Sequence, residues 1–109
     1  REHRDEALVL QTLSSLAIVQ VAMGEVDEAA LCCDEGMPLA RKRGDSTTEA
    51  RLLGSLGTTY QEQEKLDLAV TFFTEAIARA RTVRDVRLEG YFVGKRAGAL
   101  IARGEVEAA

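Results

Sequence analysis

Residues 45–84 read DSTTEARLLGSLGTTYQEQEKLDLAVTFFTEAIARARTVR, and this stretch decides the fold. Leu53, Leu56, Gly57 and Tyr60 fall at i, i+3, i+4 and i+7, one stripe of a helix that ends near Glu64. After a short turn, Ala69, Phe73, Ala76, Ile77 and Ala80 form a second stripe running toward Arg84. Two antiparallel helices facing each other are implied. Ser46-Thr47-Thr48-Glu49 has the form of a capping box, with the Ser46 hydroxyl accepting from the Glu49 amide and the Glu49 carboxylate reaching back, so the first helix is expected to start there.

Outward from this stretch the pattern recurs every forty residues. Gly24-Glu25-Val26-Asp27-Glu28-Ala29-Ala30 returns as Glu64-Lys65-Leu66-Asp67-Leu68-Ala69-Val70 and again as Gly104-Glu105-Val106-Glu107-Ala108-Ala109, while Asp5, Asp45 and Asp85 keep the same interval. The preceding unit places Leu13, Leu16, Ala17 and Gln20 on its first helix and Ala29, Cys33, Gly36 and Ala40 on its second, and Gly44 is suited to end it in a left-handed conformation. The following unit supplies Val93, Ala97 and Leu100. Helices are expected at 5–23, 26–43, 46–63, 66–83 and 86–103, in units 5–44, 45–84 and a truncated 85–109. Strand signals are absent. A unit of this size cannot bury its apolar face alone, so copies must stack into an array whose long surface is open to a partner.

Leu56-Gly57, Tyr60, Ala69, Phe73 and Ala76 carry a resemblance to the tetratricopeptide repeat, whose pattern asks for these residue types at these spacings. Gly57 and Ala69 would let the two helices approach, with Tyr60 and Phe73 filling the space beyond. The first unit departs, with Ala17 for Gly, Gln20 for the aromatic and Cys33 for Phe; near the end of the 45–84 unit Arg81 stands in place of the usual Pro. The forty-residue period is similar to that of the extended variety in bacterial signalling regulators, kinesin light chains and spindle-orientation adaptors. The resemblance implies an all-α fold of antiparallel helix-turn-helix repeats stacked as a right-handed superhelix, an α-solenoid.

Composition bounds the remaining possibilities. The chain has 109 residues, 46% hydrophobic and 29% charged, which fits one folded domain and disfavours disorder. No apolar run approaches the roughly 20 residues that cross a bilayer, and Arg1-Glu2-His3-Arg4-Asp5-Glu6 does not read as a secretory signal. A cytoplasmic protein is expected. The start at Arg1 and the stop inside a recurring unit read as a piece excised from something longer. A net charge of −4 opposes direct nucleic-acid or membrane binding. The basic clusters Arg41-Lys42-Arg43 and Arg79, Arg81, Arg84 and Arg87 fall where helices end and suit the helix dipole.

Catalytic constellations do not emerge. His3, the one histidine, has no nucleophile or orienting carboxylate placed beside it. Glu25, Asp27, Glu28, Asp34 and Glu35 gather around the start of one helix, where they favour its dipole. Gly94, Gly98 and Gly104 lack the spacing of a phosphate loop. Cys32 and Cys33 have no metal-ligand spacing; Cys33 replaces Phe73 as a small core side chain, and a redox role for Cys32 would need exposure and activation. No cofactor or metal is expected. Two residues break the pattern. Pro38 should kink or break the second helix near Gly36-Met37-Pro38, and Arg96 stands where Leu16 and Leu56 stand, so it must snorkel, find an acid or lie at an open end.

The resemblance further implies that the first helix of each unit lines a concave side. Counted in register, the stripe next to the packing stripe holds Gln11, Ser14, Ile18 and Val21, then Arg51, Gly54, Thr58 and Gln61, then Tyr91, Gly94, Gly98 and Ile101. The Lys and Asn that grip a C-terminal carboxylate in some family members are missing here. The expected occupant is therefore an apolar helix or extended segment of a partner protein, with Ile18, Val21, Tyr91 and Ile101 as contacts and Arg51 and Gln61 as polar anchors. This makes a noncatalytic protein-interaction module; the alternative is a peptide- or ligand-sensing segment of a larger bacterial signalling or transcriptional regulator. Apolar faces left at the ends of the array are expected to favour self-association, with residues 86–109 as the route.

Overall fold

The computed structural model describes residues 2–108, with side chains from 4 to 105, so the reading of His3 lies outside the described side chains. Five helices follow one another: α1 (Glu2–Ala22), α2 (Val26–Lys42), α3 (Ser46–Glu62), α4 (Leu66–Thr82) and α5 (Val86–Ala108). No strand occurs among the described residues. The three inner helices lie within a residue of their expected bounds. The outer two run further, and α5 continues through Gly104, where a turn was expected.

Each turn is built the same way. Residues 24, 44, 64 and 84 all have left-handed backbone, at φ 77°, 65°, 60° and 57°. Around each, the amide of the left-handed residue donates three residues back and the next amide donates five back: Gly24 N to Val21 O and Glu25 N to Gln20 O in the first turn, Glu64 N to Gln61 O and Lys65 N to Tyr60 O in the third. This is a Schellman motif, which satisfies carbonyls orphaned at a helix end. Glycine supplies the conformation at 24 and 44, whereas Glu64 and Arg84 adopt it with a side chain.

The helix start after the second turn differs from the expected capping box. Asp45, not Ser46, is the cap, accepting from the Thr48 amide at 3.0 Å and the Thr48 hydroxyl at 2.7 Å. Asp85 accepts from the Leu88 amide at 3.0 Å in the same way. A carboxylate reaches the exposed amides as well as a hydroxyl does and adds favourable charge at the helix dipole. Glu49 is thereby released for another role.

Packing converges on α3, which touches all four other helices. Helices α1 and α2 pair, as do α3 and α4; α2 packs on α3, α4 on α5, and α1 and α5 each reach α3. The expected stripes of the central hairpin are interior: Leu53, Leu56, Ala69, Phe73, Ala76, Ile77 and Ala80 are buried. Small residues allow this crowding. A Cβ on Gly57 would lie 2.6 Å from Phe73 Cε1, and one on Gly54 would lie 2.2 Å from Phe92 Cε1, inside any tolerable contact. Pro38 does not break α2, which is continuous from Val26 to Lys42; its exposed face leaves the bereft Asp34 carbonyl within reach of water. The expected stripe of α5 behaves differently, since Val93, Ala97 and Leu100 are exposed. Their counterparts Leu53, Gly57 and Tyr60 lie under α4, and no described helix plays that part for α5.

Ion pairs repeat the forty-residue register. Arg41 Nε lies 3.2 Å and Arg79 Nε 3.4 Å from the same Glu49 carboxylate oxygen, and Arg81 Nε lies 2.8 Å from Glu89. Gln63 reaches Asp27 at 3.4 Å as Arg103 reaches Asp67 at 3.1 Å. The basic helix ends thus do more than complement dipoles: Arg41 and Arg81 join one hairpin to the next, and Arg79 ties α4 back to α3. Glu49 is 6% exposed while Arg41 and Arg79 keep much of their surface in water, so the carboxylate gives up its hydration and the guanidinium groups replace it.

Two substitutions probe these constraints. Gly54→Ala is expected to lower stability by about 1–3 kcal/mol through overpacking against Phe92. Glu64→Gly is expected to raise it by about 0.5–1 kcal/mol by relieving a left-handed side-chain-bearing residue. Urea denaturation followed by helical circular dichroism measures both.

Candidate interaction groove

The first helices of successive hairpins, α1, α3 and α5, bound a cavity of about 560 Å³. Its floor on α3 is made of Gly54, Ser55 and Thr58; Ile18, Val21 and Ala22 form the α1 wall, and Leu88, Tyr91 and Phe92 the α5 wall. The floor is low because its side chains are small and turned inward: the Thr58 hydroxyl donates to Gly54 O at 3.1 Å, and Ser55 is buried. Arg51, Glu62 and Lys95 supply charge at its edges. A second cavity of about 410 Å³ adjoins it, with Gln11, Ser14, Arg43, Asp45 and Thr48 among its lining. Ile18 and Arg51 line both.

The structure therefore brings Ile18, Val21, Arg51, Gly54, Thr58 and Tyr91 around one cavity, and Gln11 and Ser14 around its neighbour. Gln61 and Ile101 line neither. Ser14 and Gly54 are not the open positions the register suggested. Ser14 is 8% exposed, and Gly54 is closed over by Phe92. Ile18, Tyr91 and Ile101 are the widely exposed apolar members of the stripe. Reading the sequence missed Leu88, Phe92, Lys95 and Glu62. Phe92 is 3% exposed, and the signal that could have found it is Gly54 itself: a glycine two positions beyond Leu52 faces the residue that replaces Leu52 one unit later.

The cysteines belong to the core. Cys33 is fully buried, and burial with the neighbouring Cys32 and Asp34 pushes its thiol up to about 12. Cys32 is 8% exposed, donates to Gln20 Oε1 at 3.2 Å, and is also raised, chiefly by burial and then by Glu35. Both remain thiols at neutral pH, the opposite of the activation a redox sensor requires. Gln20, standing where Tyr60 stands in the next unit, works as a hydrogen-bond acceptor for Cys32. Arg96 is half-buried and reaches α4, donating to the Thr74 hydroxyl at 3.3 Å. Among the described residues no group of three or more His, Cys, Asp or Glu side chains is placed to hold a metal ion, and no helix is long and apolar enough to cross a membrane.

Helical hairpins stacked in register, with their first helices walling a shared groove, define a helical-repeat protein. A tetratricopeptide-repeat profile matches residues 8–82, and the chain belongs to the tetratricopeptide repeat family. Repeats of this family generally mediate protein–protein interactions. A comparison with curated proteins returned no match.

The raised Cys33 pKa sets a pH dependence. Between the ordinary thiol value of 9.0 and about 12 the unfolded chain loses the Cys33 proton while the folded chain keeps it, so the contribution present below pH 9 is lost as pH rises through that window. Urea denaturation at pH 8 and pH 10.5 should show a larger loss for the wild type than for Cys33→Val. A thiol reagent at pH 8 should modify Cys33 only after unfolding.

Proposed function

We propose that this chain is a noncatalytic protein-interaction module that presents its groove to a peptide or helix of a partner. In this reading α1–α2 and α3–α4 are complete hairpin units, residues 5–44 and 45–84, and α5 opens a third unit at 85–109. The observation that carries it is the cavity between α1, α3 and α5: two apolar walls about two helix spacings apart, roughly 16–20 Å, over a floor of small residues. Less about 5 Å for each wall helix, a gap of roughly 6–10 Å is left, which takes an extended segment between the walls or a helix seated across their rim. Ile18 and Tyr91 remain exposed on facing walls, where a partner side chain would cover them. The uncovered stripe of α5, Val93 with Leu100, is a separate surface through which copies of the chain would associate.

The test uses peptides selected from a displayed random library against the purified chain. Arg51→Ala combined with Tyr91→Ala is expected to weaken their binding at least about tenfold, since each removes an anchor of a type enriched in interface hot spots. Both side chains are exposed, so the helical signal should be unchanged. Unaltered affinity in a folded double variant would put the site elsewhere.

A further inference from the structure

The groove carries charge that its own helices do not neutralise. Arg41, Lys42, Arg43, Arg79, Arg81 and Arg103 all pair with carboxylates. Arg51 does not. It is exposed at the join of the two cavities, and no described acid lies within ion-pair distance. Lys95 is likewise without an acid and sits with its Nζ 5.8 Å from the centre of the Phe73 ring. On a chain with a net charge of −4, two unanswered cations lining one cavity form a local reversal of sign.

The charge is also directional. Arg51 lies near the start of α3, while Glu62, the acid lining the same cavity, ends that helix about 16 Å away. By the forty-residue register Tyr91 is level with Arg51, Lys95 with Ser55, Ile18 with Thr58 and Val21 with Gln61. The groove therefore runs from a cationic end, through an apolar middle walled by Ile18 and Val21, to an acidic end. Glu62 would repel a continuous run of negative charge, so a polyanion fits poorly where one or two carboxylates fit well.

We infer that the groove takes a peptide segment in which one bulky apolar side chain carries carboxylates on one flank only. The apolar side chain lies against Ile18 and Val21, and the carboxylates engage Arg51 and Lys95 over the first half of α3. The two levels are about 9 Å apart, which corresponds to about three residues of an extended segment or six of a helix. Arg51 is suited to bidentate capture of a carboxylate, and Lys95 adds a point charge. The inference rests on the groove reading above, and the experiment separates the two.

A library of displayed twelve-residue peptides with a fixed central Leu or Phe is selected against the wild-type chain, and a synthetic peptide of the resulting consensus is titrated. Enrichment of Asp or Glu on one flank is expected. Arg51→Glu should weaken that peptide at least about tenfold, with added salt weakening the wild-type complex, while the same peptide carrying Asn and Gln should respond little to Arg51→Glu. Arg51→Glu combined with Lys95→Gln should shift a fresh selection toward Lys and Arg. Because Lys95 also rests on Phe73, Arg51→Glu alone decides the matter if the double variant loses its helical signal. A wild-type consensus that is apolar without acids, yet is lost on Tyr91→Ala, overturns the charge inference and leaves the groove standing. Acids enriched equally on both flanks overturn its direction. Acidic peptides indifferent to Arg51 and Lys95, or no enrichment at all, overturn both.

Discussion

Helix α3 touches each of the other four described helices, and two missing side chains let α4 and α5 close onto it. Phe73 of α4 rests on Gly57, and Phe92 of α5 rests on Gly54, each where a Cβ would stand less than 3 Å from the ring. These contacts fix the separation within a hairpin and between hairpins respectively. Because the same helix carries both, the angle between successive hairpins follows from rigid geometry on one scaffold rather than from loop conformation. Other residues on α3 accommodate the crowding: Ser55 and Thr59 are buried, and the Thr59 hydroxyl is satisfied by Ser55 O at 2.9 Å. The groove is a consequence of the same economy in side-chain size, since Gly54 lets Phe92 lie close against α3 and Ser55 and Thr58 rise little above it between the α1 and α5 walls.

Identical turns then convert local packing into an array. Helices α2, α3 and α4 each have 17 residues and are separated by three-residue turns, so the left-handed positions recur every twenty residues. With both helix length and turn geometry held constant, equivalent side chains meet at equivalent places. Gln63 with Asp27 and Arg103 with Asp67 show this directly, as do Arg41 with Glu49 and Arg81 with Glu89. Mostly exposed pairs of this kind add little stability one by one, and their effect is to favour the correct register over slipped ones. The molecule is accordingly long and flat, 55 by 29 by 18 Å.

The periodic apolar stripes were legible in the sequence because helix packing selects residue size at fixed spacing. Leu56-Gly57, Tyr60, Ala69, Phe73 and Ala76 sufficed for the hairpin. The details that escaped are those in which several residue types perform one task. Asp45 caps where Ser46 and Glu49 appeared to, since both arrangements satisfy the same amides. Glu49 looks like a surface residue of a first helical turn, and only the spatial meeting of two helix ends makes it a buried acceptor for two arginines. Pro38 reads as a breaker by its local chemistry, but an exposed face and packing on either side of it hold α2 together. Within the groove, the one-dimensional register located Ile18, Val21, Arg51 and Tyr91 and could not show that Phe92 closes over Gly54. Whether a stripe position is open depends on what the next helix places above it.

This dependence also separates two kinds of charge on the molecule. Arg41 and Arg81, near the ends of α2 and α4, are held by acids of the following helix, Glu49 and Glu89, each eight residues on, while Arg43 and Arg79 pair back to Glu6 of α1 and Glu49 of α3. Arg51 and Lys95 project from the first helices toward the wall of the groove, where the neighbouring first helices offer Ile18 and Tyr91 instead of carboxylates. Stacking neutralises Arg41 and Arg81 on the hairpin seams, because the next unit brings Glu49 and Glu89 to them. It does not do so for Arg51, because the parts of α1 and α5 that line the cavity with it bring Ile18, Val21, Leu88 and Tyr91 instead of acids. A cation in that position keeps its charge exposed at the edge of the cavity, where its desolvation is not compensated by the array itself.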